Sequence, residues 1–159
     1  MEEKGQRGLT VKNLRFLHDG WPHEFATAQE KGYPKVFDLM SYWILHYDGV
    51  PIGYTGSLDM GHFIFVGNTF ILPQYRQHGW HSYLLSVRNA KLGLRPKITV
   101  LNPIDGTDMA NLVRVVQKLG YGPIRSYEDV QDVMSENLYD EIRNENQQLW
   151  RIYVAFLLK

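Results

Sequence analysis

Apolar residues along the chain alternate between strand-like runs and helix-like stripes. Gly8 to Phe16 reads as a first strand and Trp21 to Lys31 as a helix stopped at Gly32. Ser41 to Tyr47 is dense in aromatic and β-branched residues, Asp48-Gly49 is a hairpin turn signal, and Val50 to Ser57 is the returning strand. Pro51 sits near the start of that strand, where a missing N–H is tolerated. After a turn at Asp59-Met60-Gly61, His62 to Leu72 forms a long strand that Gly67-Asn68 marks with a bulge. Trp80, Tyr83, Leu84 and Val87 then recur at helical spacing up to Gly93. Lys97 to Leu101 is a short strand and Pro103 to Thr107 a loop. Asp108 to Leu119 is a helix with Met109, Leu112, Val113 and Val116 inward, ended by Gly120. Gly122 to Ser126 reads as another strand. Ser126-Tyr127-Glu128-Asp129 has the form of a capping box opening a helix with Val130, Val133, Met134, Leu138 and Ile142 on its apolar side. Gln147 to Leu158 closes the chain as a strand, with Trp150, Ile152, Val154, Phe156 and Leu158 on one face. This order predicts a mixed α/β sheet with helices packed on its faces.

Composition narrows the chemistry. At 159 residues, 44% hydrophobic and 21% charged, the chain suits one domain with a substantial core. It has no cysteine, which excludes disulfides, thiolate nucleophiles and thiolate metal sites, and points to a cytoplasmic setting. No apolar run reaches membrane-spanning length, and the charged residues 1–8 read as a flexible start rather than a leader. His18 with His23 and His78 with His81 lack a carboxylate pattern around them, so no metal is expected. The net charge is zero, which argues against nucleic acid as an obligatory partner. The charge is unevenly placed, however: Ser126 to Glu145 carries seven acids against the single base Arg143.

The stretch from Ile71 to Leu85 carries the most information. A strand ends at Pro73, a polar loop follows, and Gly79 opens a helix. The first N–H groups of a helix have no intrahelical partners, so a glycine-containing loop there can take an anion. Ile71-Leu72-Pro73-Gln74-Tyr75-Arg76, followed by Arg76-Gln77-His78-Gly79-Trp80-His81, resembles the acyl-CoA signature of the GNAT N-acetyltransferases. In that family a strand ending Val-x-Pro-x-Tyr-Arg runs into Arg/Gln-x-x-Gly-x-Gly/Ala; the departure here is His81. Val115 to Tyr121 is similar to the family's Leu-Tyr-x-Lys-x-Gly-Phe, so the resemblance covers roughly Tyr42 to Tyr121.

The resemblance implies a centrally splayed sheet of about six to seven strands with helices on both faces, in a single domain over residues 1–159. It implies acetyl-CoA or another acyl-CoA as cofactor and an amine, small molecule or peptide, as acceptor. Backbone groups of Phe70, Ile71 and Leu72 would pair with the pantetheine arm. Arg76, Gln77, His78, Gly79, Trp80, His81 and Ser82 would surround the pyrophosphate. Asn111, or Asn102, lies near where the family contacts the cofactor arm. The family's tyrosine acid falls at Val116, so a proton donor would come from elsewhere: Tyr83, Tyr121 and Tyr139 are candidates. His62 and Asp59 are candidate bases, with a turn-flanking polar residue as the plainer reading of His62. Glu128, Asp132 and Glu136 of the acidic segment could attract a cationic acceptor. Trp150, Tyr153 and Phe156 could pack across a homodimer. The alternatives are a GNAT-fold CoA-binding or protein-interaction module without catalysis, which Val116 and His81 favour, and an unrelated α/β module holding some other phosphate.

Overall fold

The computed structural model describes residues 3–4, 8–14, 20–30, 39–101, 109–145 and 155–159. The chain divides into two compact units: Met1–Leu58 with Asn68–Gly93, and Asp59–Gly67 with Leu94–Lys159.

In the first unit, strands β1 (Glu3–Lys4), β2 (Leu9–Leu14), β3 (Ser41–Tyr47) and β4 (Val50–Asp59) are antiparallel neighbours. Strand β5 (Ile64–Ile71) lies beside β4 and contributes its second half here. The β3–β4 hairpin turns at Asp48-Gly49, both with positive φ (47° and 83°), the backbone that a tight two-residue hairpin needs. The register shifts between Leu45, opposite Gly53, and His46, opposite Pro51, so Ile52 is the extra residue of a bulge. Its carbonyl turns toward β5 and accepts the Leu72 N–H at 2.9 Å.

Helix α1 (His23–Glu30) contributes Phe25 to one face of this sheet, beside Met40, Tyr42, Ile44, Tyr54, Phe70 and Leu72. Rings of Trp21, Phe25, Tyr42 and Tyr54 meet there edge-on or tilted, with centroids 5.1–5.6 Å apart. Helix α2 (Trp80–Leu92) packs on the other cluster, with Leu9, Val11, Leu45, Ile52, Ile71 and Leu84. The residues it buries most deeply are Leu84, Leu85 and Arg88, whereas Trp80, Tyr83 and Val87 of the expected stripe are half-buried. A sheet covers a wider arc of a helix than a single apolar row, and here the deepest row carries an arginine.

In the second unit, the start of β5 pairs in parallel with β6 (Lys97–Val100) through Ile64 with Lys97 and Phe65 with Ile98. Strand β8 (Ala155–Leu158) is antiparallel to both β6 and β7 (Gly122–Pro123). Phe63, Ile98, Ile124, Val130, Val133, Met134, Tyr139, Ile142, Ala155 and Leu157 form the core. Helix α3 (Met109–Lys118) turns Val116 inward, and α4 (Glu136–Glu145) buries Tyr139 and Ile142.

Parallel and antiparallel pairing with interleaved helices is the predicted mixed α/β class, and the two-residue β1 brings the strands described to eight. Two local expectations are corrected. The strand expected over Gly122–Ser126 is only Gly122–Pro123. The helix expected from Ser126 onward is a 3-10 turn at Tyr127–Asp129, a bend, and then α4. Asp129 closes the first turn by accepting the Arg125 and Ser126 N–H groups, while Ser135 Oγ accepts the Leu138 N–H and starts the helix anew. On β8, Phe156 and Leu158 share a face as expected; the core cluster takes Ala155 and Leu157 from the other face, and Phe156 is itself buried. The expected Pro103–Thr107 loop, Asn102, and residues 147–154 of the last strand lie outside the described residues.

Candidate functional site

The loop between β5 and α2 lies wholly in the first unit. A 3-10 turn at Pro73–Tyr75 carries the chain off β5, with Pro73 at its first position, where no N–H is required. The backbone then alternates in hand: φ is +67° at Gln77 and +75° at Gly79, but not positive at His78. Such alternation curls consecutive N–H groups toward one concave side. For Gln77 this is a sparsely populated conformation, whereas for glycine it costs little. Apart from its chain neighbours, no atom of the described residues lies within 4 Å of where a Gly79 side chain would begin, so the space there is open.

Gly79 is the N-cap of α2, and no side chain caps the helix. The first intrahelical bond is Tyr83 N–H to Gly79 O, at 3.2 Å. The N–H groups of Gly79, Trp80, His81 and Ser82 therefore have no intrahelical acceptor, and the positive end of the helix dipole adds to them. A cradle with four open N–H donors and no side chain at its centre fits a phosphate group.

The side chains around it serve different ends. Arg76 folds back onto β5: its Nε donates to Ile71 O at 2.8 Å, and its guanidinium lies 5.3 Å from the Phe70 ring centre. It fixes the strand end. His78 is exposed and stacks on Trp80 at 4.8 Å, and Trp80 stacks on Tyr47 at 5.0 Å. On β5, Leu72 spends its N–H on Ile52, toward β4. Strand groups alternate in direction, so the Ile71 N–H lies on the edge turned away from β4. Of the three residues expected to present backbone groups, Phe70 and Leu72 face β4, and Ile71 carries the outward donor.

His81 is half-buried, and its pKa is pushed down to about 4, first by burial and then by the positive charges of Arg88 and Arg76. At neutral pH it is uncharged, so it cannot add a cation to the cradle. The unfolded chain, with an ordinary His near 6.5, binds this proton more readily. Stability contributed by the neutral ring is therefore present above pH 6.5 and lost as pH falls toward 4. Between pH 7 and pH 5 urea unfolding should report a loss of about 2 kcal/mol that His81→Asn largely removes. An unchanged pH dependence in that variant would contradict the assignment.

Asp59, the last residue of β4, and His62, in the turn before β5, are exposed and belong to the second unit. Asp59 accepts Arg95 Nη1 at 2.7 Å and the Gly61 N–H at 2.8 Å. The Arg95 hydrogen bond comes first among the interactions that hold its pKa below the usual carboxylate value, so it is a weakened base. The Tyr83 hydroxyl is buried in the α2 core and has no hydrogen-bond partner among the described residues. Tyr121 and Tyr139 are both buried in the second unit. Asn111 is exposed on α3, also in that unit, and accepts Arg114 Nη2 at 3.4 Å. Glu128, Asp132 and Glu136 are exposed. Asp132 pairs with Lys159 at 3.3 Å, and Glu128 lines an open cleft of about 440 Å³ with Gly120, Gly122, Pro123, Asp129, Leu157 and Lys159.

Two arrangements had no signal in the sequence pattern. Arg88 is 2% exposed, and its Nη1 donates to Thr55 Oγ1 at 2.7 Å. Asn68 holds a left-handed backbone (φ 55°) within β5 while its Nδ2 donates to the Tyr42 hydroxyl at 2.6 Å. The glycine-asparagine pair pointed to an irregular strand there, but not to the tyrosine that holds it.

No family model and no curated protein sequence matches the chain. Solved structures do. N-acetylglutamate synthase from Neisseria gonorrhoeae, complexed with coenzyme A and N-acetyl-glutamate, aligns at TM-score 0.59 and 15% identity over 92% of this chain. The chain spans about a third, 34%, of that enzyme's length. A GNAT-family protein from Bacteroides thetaiotaomicron aligns at TM-score 0.54 and 17% identity over 73% of each chain. Arabidopsis thaliana Naa50, in complex with the bisubstrate analogue CoA-Ac-MVNAL, aligns at 0.52 and 12% over 76% of this chain and 89% of its own. The chain has the fold of the GNAT acetyltransferases.

Proposed function

We propose that the chain is an acyl-CoA-dependent N-acetyltransferase that moves an acetyl group from acetyl-CoA to a primary amine by direct transfer. The observation that carries this reading is the uncapped start of α2, where four N–H donors surround the bare Gly79. Gly79, Trp80, His81 and Ser82 would hold the pyrophosphate with their backbone, and the outward Ile71 N–H would pair with the acyl-bearing arm. The neighbours of the same fold that were crystallised with coenzyme A or a CoA-containing analogue support the cofactor class. When bound, the thioester supplies an acyl group activated for attack by a neutral amine. The chain's own part is to fix that group along β5 and to offer N–H dipoles where negative charge gathers on the carbonyl oxygen. Glu128 and Glu136, exposed and acidic, would draw a cationic acceptor.

Thermal unfolding with acetyl-CoA tests the cofactor. At a hundredfold excess over Kd, mass action adds about 2.7 kcal/mol, a rise of about 5 to 10 °C for a domain of this size. No rise at saturation would sink the reading. Release of CoA across a panel of amines then tests transfer, and Glu128→Gln with Glu136→Gln should lower the preference for polyamine or lysine-like acceptors.

A second reading, a CoA-binding module without catalysis, is favoured by specific residues. Val116 stands buried where the resemblance would put a tyrosine acid, Tyr83 hides its hydroxyl, and Asp59 is tied to Arg95. An acetyl-CoA-dependent rise in unfolding temperature with no CoA released to any amine would support it.

A further inference from the structure

Thr55 is fully buried and its Oγ1 accepts from Arg88. Its second contact is Thr69 Oγ1, on β5, at 2.7 Å. A hydroxyl has one proton and two lone pairs. If Thr69 were the donor, the Thr55 proton would be left in the core with no acceptor, a state that buried polar groups avoid. Thr55 therefore donates to Thr69, and the polarity of the chain runs from Arg88 through Thr55 to Thr69. The guanidinium charge strengthens each bond in that direction. Thr69 is left with its own O–H uncommitted among the described residues, on a half-buried residue. It follows directly on the left-handed Asn68 and lies two residues before Ile71, whose N–H faces the edge turned away from β4.

We propose that Thr69 is a catalytic residue whose hydroxyl, polarised by Arg88 through Thr55, donates a hydrogen bond to the sulfur of the acyl-CoA as it departs. This rests on the acyl-CoA reading above. In the transfer, the C–N bond to the amine forms, the C–S bond breaks, and the sulfur leaves with the bonding pair. The proton lost by the amine goes to solvent. Thr69 keeps its proton and stabilises the thiolate, which takes over part of the work that a tyrosine at Val116 would do. Arg88 and Thr55 are positioning residues.

The test needs no acceptor. Free CoA presents the only thiol in the sample, because the chain has no cysteine. The ultraviolet absorbance of the thiolate, followed against pH with desulfo-CoA as the blank, gives the pKa of the bound thiol. It should lie at least about one below that of free CoA titrated alongside. Thr69→Val should return it to the value of free CoA, and Thr69→Ser should keep it low. If Thr69→Val does not fold, Thr69→Ala makes the same comparison. A bound thiol that titrates like free CoA, or a Thr69→Val protein that matches the wild type, would overturn the assignment while leaving CoA binding intact. Absence of any CoA-induced rise in the wild-type unfolding temperature would overturn the acyl-CoA reading and this inference together.

Discussion

Gly79→Glu should abolish the acetyl-CoA-induced rise in unfolding temperature expected of the wild type and leave the chain folded. The native backbone at this position is left-handed, with φ of +75°, and a residue with a Cβ pays about 1 to 2 kcal/mol there. For a chain of this size that lowers the midpoint by only a few degrees, at about 2 to 4 °C per kcal/mol. Apart from the chain neighbours, no described atom lies within 4 Å of the added Cβ, so the Cβ itself meets no clash. A carboxylate beside four open N–H groups at a helix start also regains about 0.3 to 1 kcal/mol. That same carboxylate would occupy the proposed phosphate position and repel its charge, so affinity should fall at least about 100-fold, or about 2.7 kcal/mol. Gly79→Asn separates the two effects, since it tolerates the left-handed backbone and carries no charge. It should retain most of the acetyl-CoA response. A Gly79→Glu protein that still responds like the wild type would mean that the loop does not hold the phosphates.

The loop was legible in the sequence because its cues are local. A strand that ends at a proline, a glycine and an apolar helical stripe all lie within fifteen residues, and each has a backbone reason. What stayed hidden depends on distance along the chain. Arginine is seldom fully buried, so helical spacing does not mark Arg88 as part of the core. Its partner Thr55 lies 33 residues away, and Thr69 a further 14 from Thr55. Asp59 looked free to act as a base until Arg95, 36 residues on, was seen to hold it. The acidic segment misled for a different reason. Ser126 and Ser135 both have the chemistry of a helix start, and periodicity alone runs through the break between them. Gln77 was opaque because a non-glycine residue gives no hint of positive φ, yet its conformation shapes the cradle as much as Gly79 does. A non-glycine residue held with positive φ beside an uncapped helix start is the kind of local cost that function tends to sustain.

Gly53→Ala should cost about 3 kcal/mol, at the upper end for one added methyl in a packed core. Gly53 sits on β4 opposite Leu45, at the register shift where Ile52 bulges. A Cβ there would overlap Ile71 Cδ1 and come within 2.8 Å of the Phe70 carbonyl oxygen. The carbonyl belongs to β5 and cannot retreat by itself. Leu72 N–H is bonded to Ile52 O just beyond it, and Arg76 Nε holds Ile71 O. Moving the strand end would break one or both. The Ile71 side chain could rotate, but it is enclosed by Leu45, Ile52 and Leu84. The unfolding midpoint should therefore drop by about 6 to 12 °C. Because the displaced segment includes the Ile71 N–H, the response to acetyl-CoA should weaken as well. Ile71→Val removes the atom that the new methyl meets first but leaves the Phe70 carbonyl in place. The double variant should thus recover part of the loss, with a coupling between the two sites of about 1 kcal/mol. Full additivity would mean that the backbone contact alone sets the cost. A Gly53→Ala protein as stable as the wild type would mean that β4 and β5 yield at this point, and that the end of β5 is not the rigid rail that acyl transfer along it requires.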